Sequence, residues 1–108
     1  MSTQAFGPRG VTYNIACTDV SSTAINIVSD TFCFTYQFVN IGTNIAYFAV
    51  GTDNTVVAKV PTAATPALGV PVLPNEIVVY SFTPSAWIAA ICSTGLTTNL
   101  LVTVGEGM

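Results

Sequence analysis

The sequence predicts an all-β domain, a single antiparallel β-sandwich or jelly-roll-like barrel spanning residues 1–108. Two observations carry that expectation. Apolar residues alternate with polar ones at a period of two, most clearly in DTFCFTYQFVN, where Phe32, Phe34, Tyr36 and Phe38 share one side. Turn-forming residues punctuate the chain at short intervals, and no stretch sustains a helical period.

Taken in order, the expected strands are 11–17, 24–28, 32–40, 45–51, 55–60, 68–73, 76–82, 86–92 and 98–104. Val, Ile, Thr and aromatic residues fill these intervals because branched and flat side chains pack well on a pleated surface. Ser21-Ser22, Ser29-Asp30, Gly42-Thr43-Asn44, Thr52-Asp53-Asn54, Pro74-Asn75, Pro84-Ser85 and the run from Ser93 to Thr98 separate them. Such residues adopt turn geometries that strands do not. Segment 61–74, PTAATPALGVPVLP, holds four of the six prolines and reads as an extended crossing connection or an edge strand. AWIAAIC, residues 86–92, is the one helix-like alternative, but it is short and leads into Thr-rich sequence, so strand is preferred. The expected core is Phe32, Phe34, Phe38, Phe48, Val79, Ile88, Ile91, Leu100 and Val102. Residues 1–10 form the expected N-terminal arm, flexible or partner-bound.

Composition narrows the function. Hydrophobic residues make up 51% of the chain and charged residues 6%, where about a quarter is usual for charged residues. Disorder is excluded on that balance. Arg9 and Lys59 are the only cations and neither has a basic neighbour, so no nucleic-acid partner is expected. The uncharged runs 31–52 and 77–105 are interrupted by Thr, Gln, Asn, Gly and Pro, which argues against membrane helices. MSTQAFGPRG has no apolar stretch of the kind a signal peptide needs, so synthesis in the cytosol is expected.

Chemistry has little to work with. The chain has no His to act as a base, and Asp19, Asp30, Asp53, Glu76 and Glu106 are dispersed at turns and strand ends. Catalysis needs base, nucleophile or metal within mutual reach, so no enzyme, no catalytic residue and no cofactor is expected. Cys17, Cys33 and Cys92 match no zinc or redox spacing and read as small buried hydrophobes. Asp53-Asn54-Thr55 is a conceivable calcium loop, though a turn is the commoner use of these residues. Tyr13, Tyr36, Tyr47, Tyr80 and Trp87 are candidates for a sugar platform, but their alternation within strands assigns most of them to the core.

The shortage of charge is itself informative. Thr35, Gln37, Thr55, Ser81, Thr97 and Thr103 fill positions where an exposed strand usually carries charge. Sheet edges without charge invite association, and interface centres are depleted in charge. An oligomer docked on a larger assembly is therefore expected. Phe6 and Arg9 in the N-terminal arm, and Val70, Val72 and Leu73 in the Pro-rich segment, are the candidate partner contacts.

Four stretches resemble small structural proteins of tailed-bacteriophage virions, the head decoration or cement class. They are FTYQFVNIGTNIAYFAVGTD, GVPVLPNEIVVYSF, AWIAAICSTGLTTNLLVTVGEGM and the Thr/Ser-rich opening strands, and together they cover most of the chain from Val20 onward. The resemblance implies a jelly-roll or sandwich module on the outer surface of the phage head. It implies two partners: the major capsid protein and further copies of the chain, as a homotrimer in preference to a dimer. The implied role is to bridge neighbouring capsid subunits and stabilise the shell, with no catalytic residue. The alternative is a virion adhesin, or a head-fibre or tail component, that binds host glycan.

Overall fold

The computed structural model describes residues 7–28, 35–83 and 85–106. Its strands are β1 (Gly7–Cys17), β2 (Ile25–Asn26), β3 (Thr35–Asn40), β4 (Ala46–Gly51), β5 (Val70–Val72), β6 (Ile77–Ser81), β7 (Trp87–Ile91) and β8 (Thr98–Glu106). Among the described residues there is no helix. Strands β1 and β8, β2 and β7, β3 and β6, and β4 and β5 pair antiparallel, as if a long hairpin ribbon were folded at its middle. The ribbon then rolls on itself, so that β3 also pairs with β8 and β4 with β7. Two four-stranded sheets result: sheet A in the order β1-β8-β3-β6 and sheet B in the order β2-β7-β4-β5. This strand order is that of a jelly roll. The expected sandwich is present, but it is not a closed barrel, because among the described residues each sheet keeps two open edges.

The alternation seen in the sequence places the core between the sheets. Tyr36 and Phe38 of β3 face inward with Val102 and Val104 of β8 and Ile15 of β1, and all are buried. From sheet B they meet Phe48, Val72, Ile88 and Ala90. Phe38 and Phe48 stack across the layers with ring centroids 4.0 Å apart and planes 12° from parallel. Burying a Phe, Ile or Val side chain in full contributes about 1.5–3 kcal/mol, so this seam dominates cohesion. Phe32 and Phe34 lie outside the described residues.

Two expected core residues are placed elsewhere. Val79 lies on β6 opposite Gln37, so it shares the outer face of sheet A and is exposed. A one-residue error in phase moves a whole strand to the other face, and on β6 it is Val78 and Tyr80 that oppose the inward Phe38 and Tyr36. Ile91 is half-buried and packs outside sheet B, against a small cluster of Ala49, Ala58 and Ala89. The expected strand at 55–60 is also absent. These residues belong to a strap between β4 and β5 that lies over the outer face of sheet B, with Val56 and Ala58 against Ala49 and Ala89. Ser21 Oγ accepts the Ala58 N–H at 3.0 Å, and the Lys59 N–H donates to the Leu68 carbonyl at 2.9 Å. Gly69 permits that second contact, since a Cβ there would run into the Lys59 carbonyl. The strap accounts for the proline-rich composition, and β5, with Pro71 at its centre, is the edge strand expected of that segment.

One buried polar side chain ties these pieces together. Asn40, at the end of β3, donates through Nδ2 to the carbonyls of Asn44 at 2.7 Å and Val72 at 2.8 Å. Its Oδ1 accepts from the Gly42 N–H at 3.1 Å and from Thr98 Oγ1 at 2.7 Å. Its backbone N–H donates to the Glu76 carbonyl at 3.2 Å, and its carbonyl accepts the Asn75 N–H at 2.8 Å. Asn75 has φ 63°, a left-handed conformation that Asn tolerates better than most residues. Gly42 is equally constrained, because a Cβ there would collide with the Thr98 side chain.

Asn40→Ala is expected to lower unfolding free energy by about 3 kcal/mol, since it leaves buried carbonyl and hydroxyl groups without partners. A shift of the urea midpoint with an unchanged slope would measure it. Asn44→Ala, which removes one exposed bond to Thr97, is expected to cost about 1 kcal/mol or less.

Candidate interaction face

Strand register assigns the outward side chains at the paired positions of sheet A to rows. One row runs Thr12–Thr103–Gln37–Val79 and the next Asn14–Leu101–Val39–Ile77, from β1 through β8 and β3 to β6. Ala16–Asn99 continues the face at one end, and Gly105–Thr35–Ser81 at the other. None of these positions carries charge. Leu101, Val39, Gln37 and Thr103 are half-buried by their neighbours, while Ile77 and Val79 are exposed. Thr12 Oγ1 and Thr103 Oγ1 share a hydrogen bond of 2.7 Å across the strands, which pairs one hydroxyl donor and leaves the other hydroxyl's proton for water or a partner. The result is a broad surface that is cheap to desolvate. Sheet B has no such face, because its own strap covers the Ala49–Ala89 region.

The residues expected to contact a partner are only partly brought together. Val70 and Leu73 are exposed at the β5 edge, as a contact role requires. Val72 is fully buried in the core opposite Ala46, so it is removed from the contact set. By the two-residue period Val70 and Val72 share the inward face, opposite Phe48 and Ala46; Val72 is sealed there, whereas Val70, at the start of the strand, stays exposed. Phe6 lies outside the described residues. Arg9 is part of β1 in its backbone, and its side chain lies outside the description. Of the expected arm 1–10, residues 7–10 belong to β1, where Gly7 and Pro8 pair with Glu106 and Gly105, and residues 1–6 lie outside the described residues.

The remaining candidates resolve into structural roles. Asp53 accepts the Thr55 N–H at 3.0 Å and the Thr55 hydroxyl at 2.5 Å. These two bonds hold its carboxyl below the usual carboxylate range and make a closed turn. Among the described residues, no cluster of three or more His, Cys, Asp or Glu could hold a metal ion. The aromatic residues do not form a platform: Tyr36 is core, with its hydroxyl donating to the Thr83 carbonyl at 2.7 Å and accepting the Ala86 N–H at 3.0 Å. Tyr47 and Trp87 face outward on sheet B, at opposite ends of the β4–β7 pairing. A concavity of about 390 Å³ lies on the same side, lined by Asp19, Lys59, Val60, Thr62, Ile91, Cys92, Ser93 and Thr94. Sequence reasoning did not single it out, because its lining comes from three separate connections and the end of β7.

Cys17 and Cys92 are buried free thiols. Burial first, and the neighbouring Cys92 second, push the Cys17 thiol up from 9.0 to about 12. Below pH 9 the thiol is protonated in both folded and unfolded chains, so it contributes no pH dependence there. Between pH 9 and about 12 the folded state holds a proton that the unfolded state releases, so stability falls as pH rises through that window. Native protein at pH 8 should leave Cys17 and Cys92 unmodified by iodoacetamide in peptide mapping, and urea should expose both. Rapid labelling of either in the native state contradicts the buried-thiol assignment.

Comparison of the chain with protein-family models, curated proteins and solved structures returns no match.

Proposed function

We propose that the protein is a non-enzymatic structural component of a tailed-phage virion that docks on the major capsid protein and reinforces the head. The observation that carries the reading is the uncharged outer face of sheet A, two full rows of Thr, Asn, Gln, Leu, Val and Ile across four strands. A face of this composition binds by shape, apolar contact and hydrogen bonds, and it depends little on ionic strength. Repetition over many copies supplies avidity where single contacts are weak. The jelly-roll topology adds support by analogy alone, since viral capsid proteins and lectins both use it. The likeness of four stretches to head decoration proteins points the same way.

Heads lacking the protein should lose resistance to heat or chelators and regain it when the protein is added back. Gln37→Lys, at a half-buried position on the face, should stay within about 0.5 kcal/mol of wild-type stability yet fail to occupy heads in cryo-electron micrographs. Unchanged head stability without the protein rules out the cement role. Full occupancy by the Gln37→Lys protein rules out this face.

The concavity beside β7 supports a second reading, a glycan-binding virion component. Lys59, Thr62, Ser93 and Thr94 offer polar groups beside the apolar Val60 and Ile91, the mixture expected of a small-ligand site. Strong glycan-array binding that is lost in Lys59→Ala, from a protein dispensable for head stability, would favour it.

A further inference from the structure

A sandwich with open edges must guard them, since an unpaired strand is a template for another chain. Three of the four edges here are guarded. Strand β1 carries Pro8 and a register shift between Pro8 and Thr12. Strand β2 is two residues long, and β5 is three residues long with Pro71 in the middle. Strand β6 has none of these devices. It is five residues, Ile-Val-Val-Tyr-Ser, with no charge, no proline and no bulge in its pairing with β3. Ile77 is 61% and Val79 44% exposed.

The hydrogen-bond phase leaves β6 ready to pair. The Asn40 N–H bonds to the Glu76 carbonyl, and antiparallel ladders repeat every second residue. Val78 and Tyr80 therefore exchange bonds with β3, and the amides of Ile77, Val79 and Ser81 point away from the sheet. From these observations we propose that β6 is the dimerisation edge of this protein, and that its occupant is β6 of a second copy, paired antiparallel about Val79. The eight strands of the two A sheets then form one continuous sheet.

Three features select a second copy over a different partner. The flank formed by β5 and β6 concentrates exposed apolar side chains: of twelve such large residues described, six fall in 68–80. The only charge in that segment is Glu76, whose Oε1 already accepts the Leu73 N–H at 2.9 Å. An opposite-charge partner would find nothing to read, whereas a copy meets no repulsion at the axis. Pairing about Val79 sets the two Glu76 residues six strand positions apart, roughly 20 Å, beyond the screening length of about 8–10 Å. The edge is also long enough to pair. Strand β6 has five residues, roughly 17 Å of ladder, the usual strand length in a globular sheet.

The dimer stands on the edge itself and not on the virion reading, and it replaces the trimer that the resemblance favours. Sedimentation equilibrium of the purified chain is expected to show a dimer. Val79→Lys should raise the dimer dissociation constant at least about 100-fold by placing like charges at the axis, with an unchanged circular dichroism spectrum. Ile77→Lys is the second edge variant, should Val79→Lys fail to fold; its two lysines lie four strand positions apart, roughly 13 Å, so a loss in the same direction, about 10-fold, is expected from covering a charge at the edge. Val11→Lys, on the opposite edge strand, should remain dimeric. A wild-type monomer at about 100 μM, which saturates any interface of about 1 μM affinity, overturns the proposal. So does a trimer, or a dimer that both β6 variants leave intact.

Discussion

Asn40 is the point through which the two layers are fixed to each other. Its side chain reaches the β3–β4 turn, β5 of the opposite sheet and Thr98 at the start of β8, while its backbone holds the β5–β6 turn. A buried amide makes sense only when all its groups are paired, and here six bonds tie four segments to one residue. Together they set where the folded ribbon turns from sheet B back into sheet A. The position of β5 and β6 as edges on one flank follows from that turn. So does the phase of β6, because the Asn40–Glu76 backbone bond decides which of its amides face β3.

The division of labour between the two faces depends on the same geometry. The connection from β4 to β5 is long enough to fold back over sheet B and carries small residues, Ala58 above all, that fit against Ala49 and Ala89. Sheet B thus finds its cover within the chain. The β3–β4 turn, held tightly by Asn40 and Gly42, has no length to spare. Sheet A keeps its outer face of threonines, amides and aliphatics, and β8, its long central strand, runs through the middle of it.

Much of this was legible in the sequence, and the failures have physical causes. The period-two pattern identified the inward Phe38, Phe48, Ile88, Leu100 and Val102, because a two-layer core imposes that period on every strand. Proline density marked β5 as an edge for the reason that proline cannot donate to a ladder. Val79 was misplaced because Ile-Val-Val is apolar throughout, so the phase of β6 rests on Ser81 alone, two residues on and on the same outer face as Val79. Residues 55–60 have strand composition yet form a strap, since burial over sheet B rewards apolar residues without requiring a ladder. The Asn40 network left only a faint sign. Asn-Ile-Gly-Thr-Asn announces a turn, but it does not announce that the first Asn is buried and bonded to β5, more than thirty residues on. Long-range contacts of a single polar residue are set by topology, which composition does not encode. The uncharged outer face of sheet A was readable only as missing charge; its continuity across four strands required the register.

That missing charge has a consequence for how such a surface can be specific. A charged interface selects its partner by complementary potential and weakens as salt rises. The outer face of sheet A has no potential of its own, so discrimination must come from relief and from the placement of hydroxyl and amide groups. Thr12 and Thr103 are already hydrogen-bonded to each other, which lowers the cost of covering them and leaves one hydroxyl proton for a partner to accept. Gln37, beside that pair and next to the exposed Val79, is the side chain in its row best able to adapt, with both donor and acceptor at the end of a flexible stem. Selectivity on this face therefore concentrates where the Gln37–Val79 row meets the Val39–Ile77 row, a few polar groups set in an aliphatic strip. A partner has to match that strip in shape, since an ill-fitting one would strand the Gln37 amide without hydrogen bonds at a cost of about 1–3 kcal/mol.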